Sequence, residues 1–159
     1  MNQDPILFVY GTLRAGYHNH HLLHKAKPLG LARTLQPRVM LAKGIPFLHR
    51  STHSVDSWGV KEQAPRVWGE VYQLPWEQLR RVDMLEGHPK WYRRMLEPVE
   101  LEGSTDIGSH SLLYGKIVQE TLRTQGTQLK AWAYFITTDG QPVEVPAHVR
   151  GPLADYSEQ

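Results

Sequence analysis

The sequence predicts an α+β fold: one domain built on a small, mostly antiparallel sheet or barrel, with short helices at its flanks. Three observations carry that expectation. Strand-like segments outnumber helical ones, and no regular strand-helix-strand alternation runs along the chain. At 159 residues with 40% apolar content, the chain is long enough for one well-packed core and short for two.

Taken in order, residues 6–10, Ile-Leu-Phe-Val-Tyr, are apolar throughout and stop at Gly11, the pattern of a short strand buried on both faces. A loop begins there. After Gly16, Asn19 is placed to cap a short helix carrying Leu22, Leu23 and Ala26 and closed by Pro28. Strands are expected at 29–35 and 38–42; Gly44 and Pro46 punctuate the next piece, and 51–65 reads as a polar loop. Within 66–74, Val67, Gly69, Val71 and Gln73 alternate with Trp68, Glu70, Tyr72 and Leu74, the period of a strand. Pro75 at the first helical position opens PWEQLRRVDMLEG, where Leu79, Val82 and Leu85 share one face and Gly87 supplies the stop. Residues 91–101 return to strand composition, with Pro98 marking an edge or a bulge. The polar stretch 102–128 holds LLYGKIVQETLR as a helix candidate, and 129–136 is a last strand. The proline-studded end reads as a surface tail. The expected organisation is therefore a domain over 1–139, with 102–128 as a polar insertion, and a tail over 140–159.

Composition narrows the function classes. The formal net charge is only +2, with acidic and basic residues mixed along the chain, so no basic stripe points to nucleic acid or to a membrane surface. No cysteine occurs, which removes disulfides, thiolate nucleophiles and thiolate metal ligands together. The few polar residues before the first apolar run lack the features of a secretory leader, and no apolar stretch approaches a membrane span. A cytoplasmic protein is the expectation.

Gly11 and Gly16 stand at the spacing of a phosphate-binding loop, but the two positions after Gly16 are Tyr17 and His18. Lysine and serine or threonine are needed there to reach phosphates and magnesium. A dinucleotide fingerprint is broken by Leu13. His18, His20, His21 and His24 invite a metal site, yet there is no H-E-x-x-H and no nearby carboxylate to complete three ligands. No nucleophile-elbow motif supports a Ser-His-Asp set. Two uses of the 10–13 loop stay open: backbone N–H groups converging on one small anionic oxygen, or a tight turn that Gly11 merely permits. Glu86 is the second oddity, a carboxylate at the end of the 75–86 helix, where the macrodipole disfavours negative charge. With Trp91 and Tyr92 close by, a partly buried Glu86 would have a raised pKa suited to proton transfer near neutrality; the alternative is a solvated Glu86 or an ion pair with Arg93 or Arg94, and Asp83 shares that choice.

FVYGTLRAG followed by NHHLL, then VWGEVY, LRRVDMLEGHPKWYRR and AWAYF, in that order, resembles the γ-glutamylcyclotransferase-like family, also called AIG2-like, which includes γ-glutamylamine cyclotransferases. The likeness covers about residues 6–136. The resemblance implies a small β-barrel with flanking helices and an enzyme that cyclises a small-molecule γ-glutamyl substrate, releasing 5-oxoproline and an amine. It implies that Tyr10, Gly11, Thr12 and Leu13 bind the γ-glutamyl part, that Glu86 is the acid/base, and that Tyr134 lies near the site. No cofactor, no metal, no nucleic acid and no membrane partner are implied. The 102–128 segment departs from the short turn of many members. Rival expectations are a non-catalytic binding module of the same fold and, last, a metal-dependent hydrolase using the histidines. Neither the leaving amine, the group that binds the substrate α-carboxylate nor the oligomeric state is legible.

Overall fold

The computed structural model describes residues 3–15, 17, 19–43, 45–49, 66–90, 92–102 and 125–136. Among them are β1 (Ile6–Val9), a 3₁₀ turn (His20–Leu23), β2 (Lys27–Thr34), β3 (Val39–Lys43), β4 (Ile45–His49), β5 (Trp68–Gln73), α1 (Trp76–Glu86), β6 (Tyr92–Leu101) and β7 (Gln128–Ile136). Five strands close a barrel in the order β1-β5-β2-β6-β7, and β3 and β4 form a separate two-stranded sheet. Barrel neighbours are antiparallel except where β1 meets β7 in parallel, with Leu7 opposite Trp132. This is the small, mostly antiparallel barrel that the sequence and its resemblance predict.

Alternation along the strands sorts side chains onto two faces. Phe8, Ala32, Val71, Val99, Ala133 and Phe135 come from all five barrel strands and pack as one cluster, the barrel interior. Their sequence neighbours Leu7, Val9, Leu31, Tyr72 and Tyr134 pack with Leu79 and Val82 of α1 and Leu23 of the 3₁₀ turn. The helix thus covers the outer face of the sheet. Gly69 allows β5 to approach β1: a Cβ there would stand 2.6 Å from the Phe8 ring and press on the Val9 carbonyl.

Several boundaries differ from expectation for physical reasons. Instead of a helix closed by Pro28, the chain makes one 3₁₀ turn, and Pro28 lies in β2 opposite Tyr72, where a register shift before Gly30 absorbs its missing N–H. Pro46 is accommodated in β4 of the two-stranded sheet. Pro98 sits in β6 opposite Lys130, one position past the last β6–β2 pair at Val99, where its carbonyl still accepts the Leu35 amide at 3.0 Å and only its missing N–H goes unpaired. Pro75 precedes α1 in extended conformation and does not take its first helical position. Leu85 is 47% exposed and leaves the buried stripe of Leu79 and Val82. The 51–65 loop, the helix candidate in 102–128 and the 140–159 tail lie outside the described residues, apart from 102 and 125–128. Among the described residues no helix is long and apolar enough to cross a membrane.

Candidate active site

The apolar run of β1 delivers the chain to the barrel end, where residues 10–15 turn across it. Hydrogen bonds hold that turn. The Gly11 carbonyl accepts from the Arg14 amide at 3.1 Å and from Arg14 Nε at 3.2 Å. The Thr12 carbonyl accepts from the Asn19 amide at 3.1 Å, and Asn19 Nδ2 donates to Thr12 Oγ1 at 2.8 Å. His20 Nδ1 meets the Leu13 carbonyl at 2.9 Å. In a trans peptide the N–H points opposite to the preceding carbonyl, so drawing the Gly11 and Thr12 carbonyls into the protein turns the N–H groups of Thr12 and Leu13 the other way. Glu70 anchors the far end of the turn: its Oε1 accepts from the Ala15 amide and from the Tyr72 hydroxyl, both at 2.8 Å. Burial raises the Glu70 pKa, opposed by those two bonds and by the nearby Arg14 charge.

Opposite the turn, α1 ends at Gly87. Its φ of 66° is left-handed, and the amides of Gly87 and His88 close back on the Met84 and Asp83 carbonyls at 3.2 and 2.9 Å. That stop leaves Glu86 as the last helical residue, at the rim of a cavity of about 450 Å³. All six residues expected at the site line this one cavity: Tyr10, Gly11, Thr12 and Leu13 from the turn, Glu86 from α1, and Tyr134 from β7. Asn19, Tyr92 and Leu85 join them.

Burial pushes the Glu86 pKa up from 4.5 to about 7. The alternative of an ion pair with Arg94 is not what the fold makes. Arg94 instead grips Asp83 with Nε at 2.8 Å and Nη2 at 3.1 Å, and its guanidinium lies 4.4 Å from the Trp132 ring centre. Asp83 also accepts the Tyr134 hydroxyl. Burial raises the pKa of Tyr134, helped by that bond to Asp83 and by the Asp83 and Glu86 charges; Tyr92 rises through burial and the Glu86 charge. Tyr10 lines the cavity, while its hydroxyl donates to the Tyr134 carbonyl at 2.7 Å and faces the Leu48 amide.

Of the histidines, His24 meets Gln78 Nε2 at 3.2 Å, His20 supports the turn, and His18 lies outside the described residues. Among the described residues no three His, Asp or Glu side chains converge on a common point. Sequence reasoning missed Glu70 and the structural part of Asn19. Glu70 had a signal: its strand alternation put a carboxylate on the face of Trp68, Tyr72 and Leu74.

The model of the family described as gamma-glutamyl cyclotransferase, AIG2-like, matches residues 7–157. The chain belongs to this family. Among AIG2-like relatives, the γ-glutamylaminecyclotransferase of Homo sapiens is 29% identical over 153 residues, covering 91% of this chain and 94% of its own length. Gamma-glutamylaminecyclotransferase B of Danio rerio is 32% identical over 127 residues, 73% of this chain, and the match spans 61% of that relative's length. The crystal structure of an AIG2-like protein from Mus musculus shares the fold, with a TM-score of 0.64 at 22% identity, over 98% of this chain and 90% of the other.

Proposed function

We propose that this AIG2-like chain is a cyclotransferase acting on a γ-glutamyl amine or γ-glutamyl peptide, with Glu86 as the general acid/base. The observation that carries the proposal is a half-buried carboxylate, its pKa raised by desolvation to about 7, in the same cavity as the 10–13 turn. Relatives named as γ-glutamylaminecyclotransferases support this type of acyl transfer.

A γ-glutamyl amide contains its own nucleophile, so the protein needs neither a cysteine nor a serine. The α-amine nitrogen bonds to the γ-carbonyl carbon, closing a five-membered ring, and the bond from that carbon to the leaving nitrogen breaks. Glu86 accepts the amine proton during attack and returns it to the leaving nitrogen. The products are 5-oxoproline and a free amine; no water is consumed. Folding the substrate into the attacking geometry supplies roughly 7 kcal/mol or more of the barrier reduction. The N–H groups of Thr12 and Leu13, turned away from the protein body, are the donors for the carbonyl oxygen as negative charge builds on it.

Neither Arg14 nor Arg94 serves the substrate α-carboxylate in this scheme, because Arg14 is 1% exposed and bonded to Gly11 while Arg94 is engaged with Asp83. The test is 5-oxoproline release from a panel of γ-glutamyl amides and dipeptides, with Glu86→Gln alongside. Release by the native protein and its loss in Glu86→Gln are expected. Binding of 5-oxoproline without turnover of any panel member would instead make the chain a binding module of this fold.

A further inference from the structure

We infer that Asp83 fixes the polarity of the Tyr134 hydroxyl, so that Tyr134 meets the substrate α-amine as a hydrogen-bond acceptor and holds that amine beside Glu86. The inference rests on the cyclotransferase proposal above and assigns Asp83, which does not line the cavity, as a positioning residue.

A phenol has one hydrogen and two acceptor lone pairs. In this fold the Tyr134 hydrogen is given to Asp83 Oδ1. The direction cannot reverse, because the same carboxylate is held by two guanidinium N–H donors, Nε on Oδ1 at 2.8 Å and Nη2 on Oδ2 at 3.1 Å. A carboxylate in that fork only accepts. Arg94 is itself fixed. It lies directly opposite Tyr134 in the β6–β7 register, stacks 4.4 Å from the Trp132 ring centre, and stands 5.8 Å from that of Trp76. The Asp83 and Arg94 side chains are only 13% and 14% exposed, so water competes little for the bonds. Tyr134 lines the cavity, and what its hydroxyl has left to offer a substrate is oxygen lone pairs.

A second cavity tyrosine is also spent as a donor, since the Tyr10 hydroxyl gives its hydrogen to the Tyr134 carbonyl. Neither tyrosine has a hydrogen left for a carbonyl oxygen or a leaving nitrogen. The substrate group that suits an acceptor next to a carboxylate is the α-amine. One of its hydrogens goes to Glu86 and another to Tyr134 Oη, which leaves the nitrogen lone pair aimed at the γ-carbonyl. Turning a flexible amine into an oriented nucleophile is the step that Asp83 controls, through Tyr134, without touching substrate.

The test uses the full chain, a γ-glutamyl amide, and the matching N-substituted glutaramate, which keeps the amide and carboxylate but has no α-amine and does not cyclise. Tyr134→Phe and Asp83→Asn are each expected to lower kcat/KM on the amide about tenfold or more. The double variant should be no worse than Tyr134→Phe, within about twofold. Glutaramate affinity should stay within about twofold throughout. Losses that multiply in the double variant, or glutaramate affinity falling in step with turnover, would overturn the inference. Should Asp83→Asn not fold, Tyr134→Phe alone decides, read as amide against glutaramate binding in a Glu86→Gln background that suppresses turnover. That comparison needs no catalysis, so it separates failure here from failure of the cyclotransferase proposal, which a silent native protein would signal.

Discussion

Glu86 shows how one side chain takes its chemistry from its surroundings. Burial alone lifts its pKa from 4.5 to about 7, and the effect on stability follows from proton linkage. Between those two values the native state holds a proton that the unfolded chain has released. Stability is therefore full below about pH 4.5, falls as pH rises to about 7, and is constant above. Glu86→Gln should be more stable than the native protein near about pH 8, by up to about 3 kcal/mol, and no more stable near about pH 4; thermal melts at the two pH values check this. Glu86 was legible in the sequence as a carboxylate where a helix dipole opposes one. Asp83 was not separable from it, because the group that distinguishes them, Arg94, arrives from β6 across a tertiary contact.

The elements beside the site were legible to different degrees. The strand at β5 and the helix α1 came through because their periods and stop signals are local. The piece after the 10–13 turn did not: where Asn19 and Pro28 suggested a helix, Asn19 and His20 are captured by Thr12 and the Leu13 carbonyl, and only a 3₁₀ turn fits. Glu70 tests this view of the turn. Both of its bonds end on Oε1, which an amide oxygen reproduces. Glu70→Gln should keep folding and activity, whereas Glu70→Ala strands two buried donors and should cost about 1–3 kcal/mol for each in denaturant unfolding. Its KM should rise as the turn loosens. At the end of α1, Gly87→Ala forces a side chain into the left-handed region and should destabilise by about 1 kcal/mol.

For the molecule as a whole, the sequence by itself reached a small sheet or barrel, and the family resemblance supplied the closure. What no local pattern encodes is the parallel contact that closes the barrel, where Leu7 meets Trp132 across most of the chain. Nor does it encode the interior ion pair. Glu97 is fully buried on the strand face shared with Met95 and Val99, and Arg38 grips it through Nε and Nη2, the latter at 3.0 Å. Arg38→Met should cost about 3–5 kcal/mol by leaving the carboxylate alone, and adding Glu97→Leu should recover most of that loss in chemical denaturation. The barrel sets a turn from β1 and the end of α1 around one cavity, and the chemistry proposed for that meeting point has one direct check. It is the pH dependence of kcat/KM for 5-oxoproline release by the native protein and by Glu86→Gln. Native activity should rise with pH through about 7, and Glu86→Gln should be flat and at least about a hundredfold lower. A Glu86→Gln protein that tracked the native rate across the whole range would contradict the account.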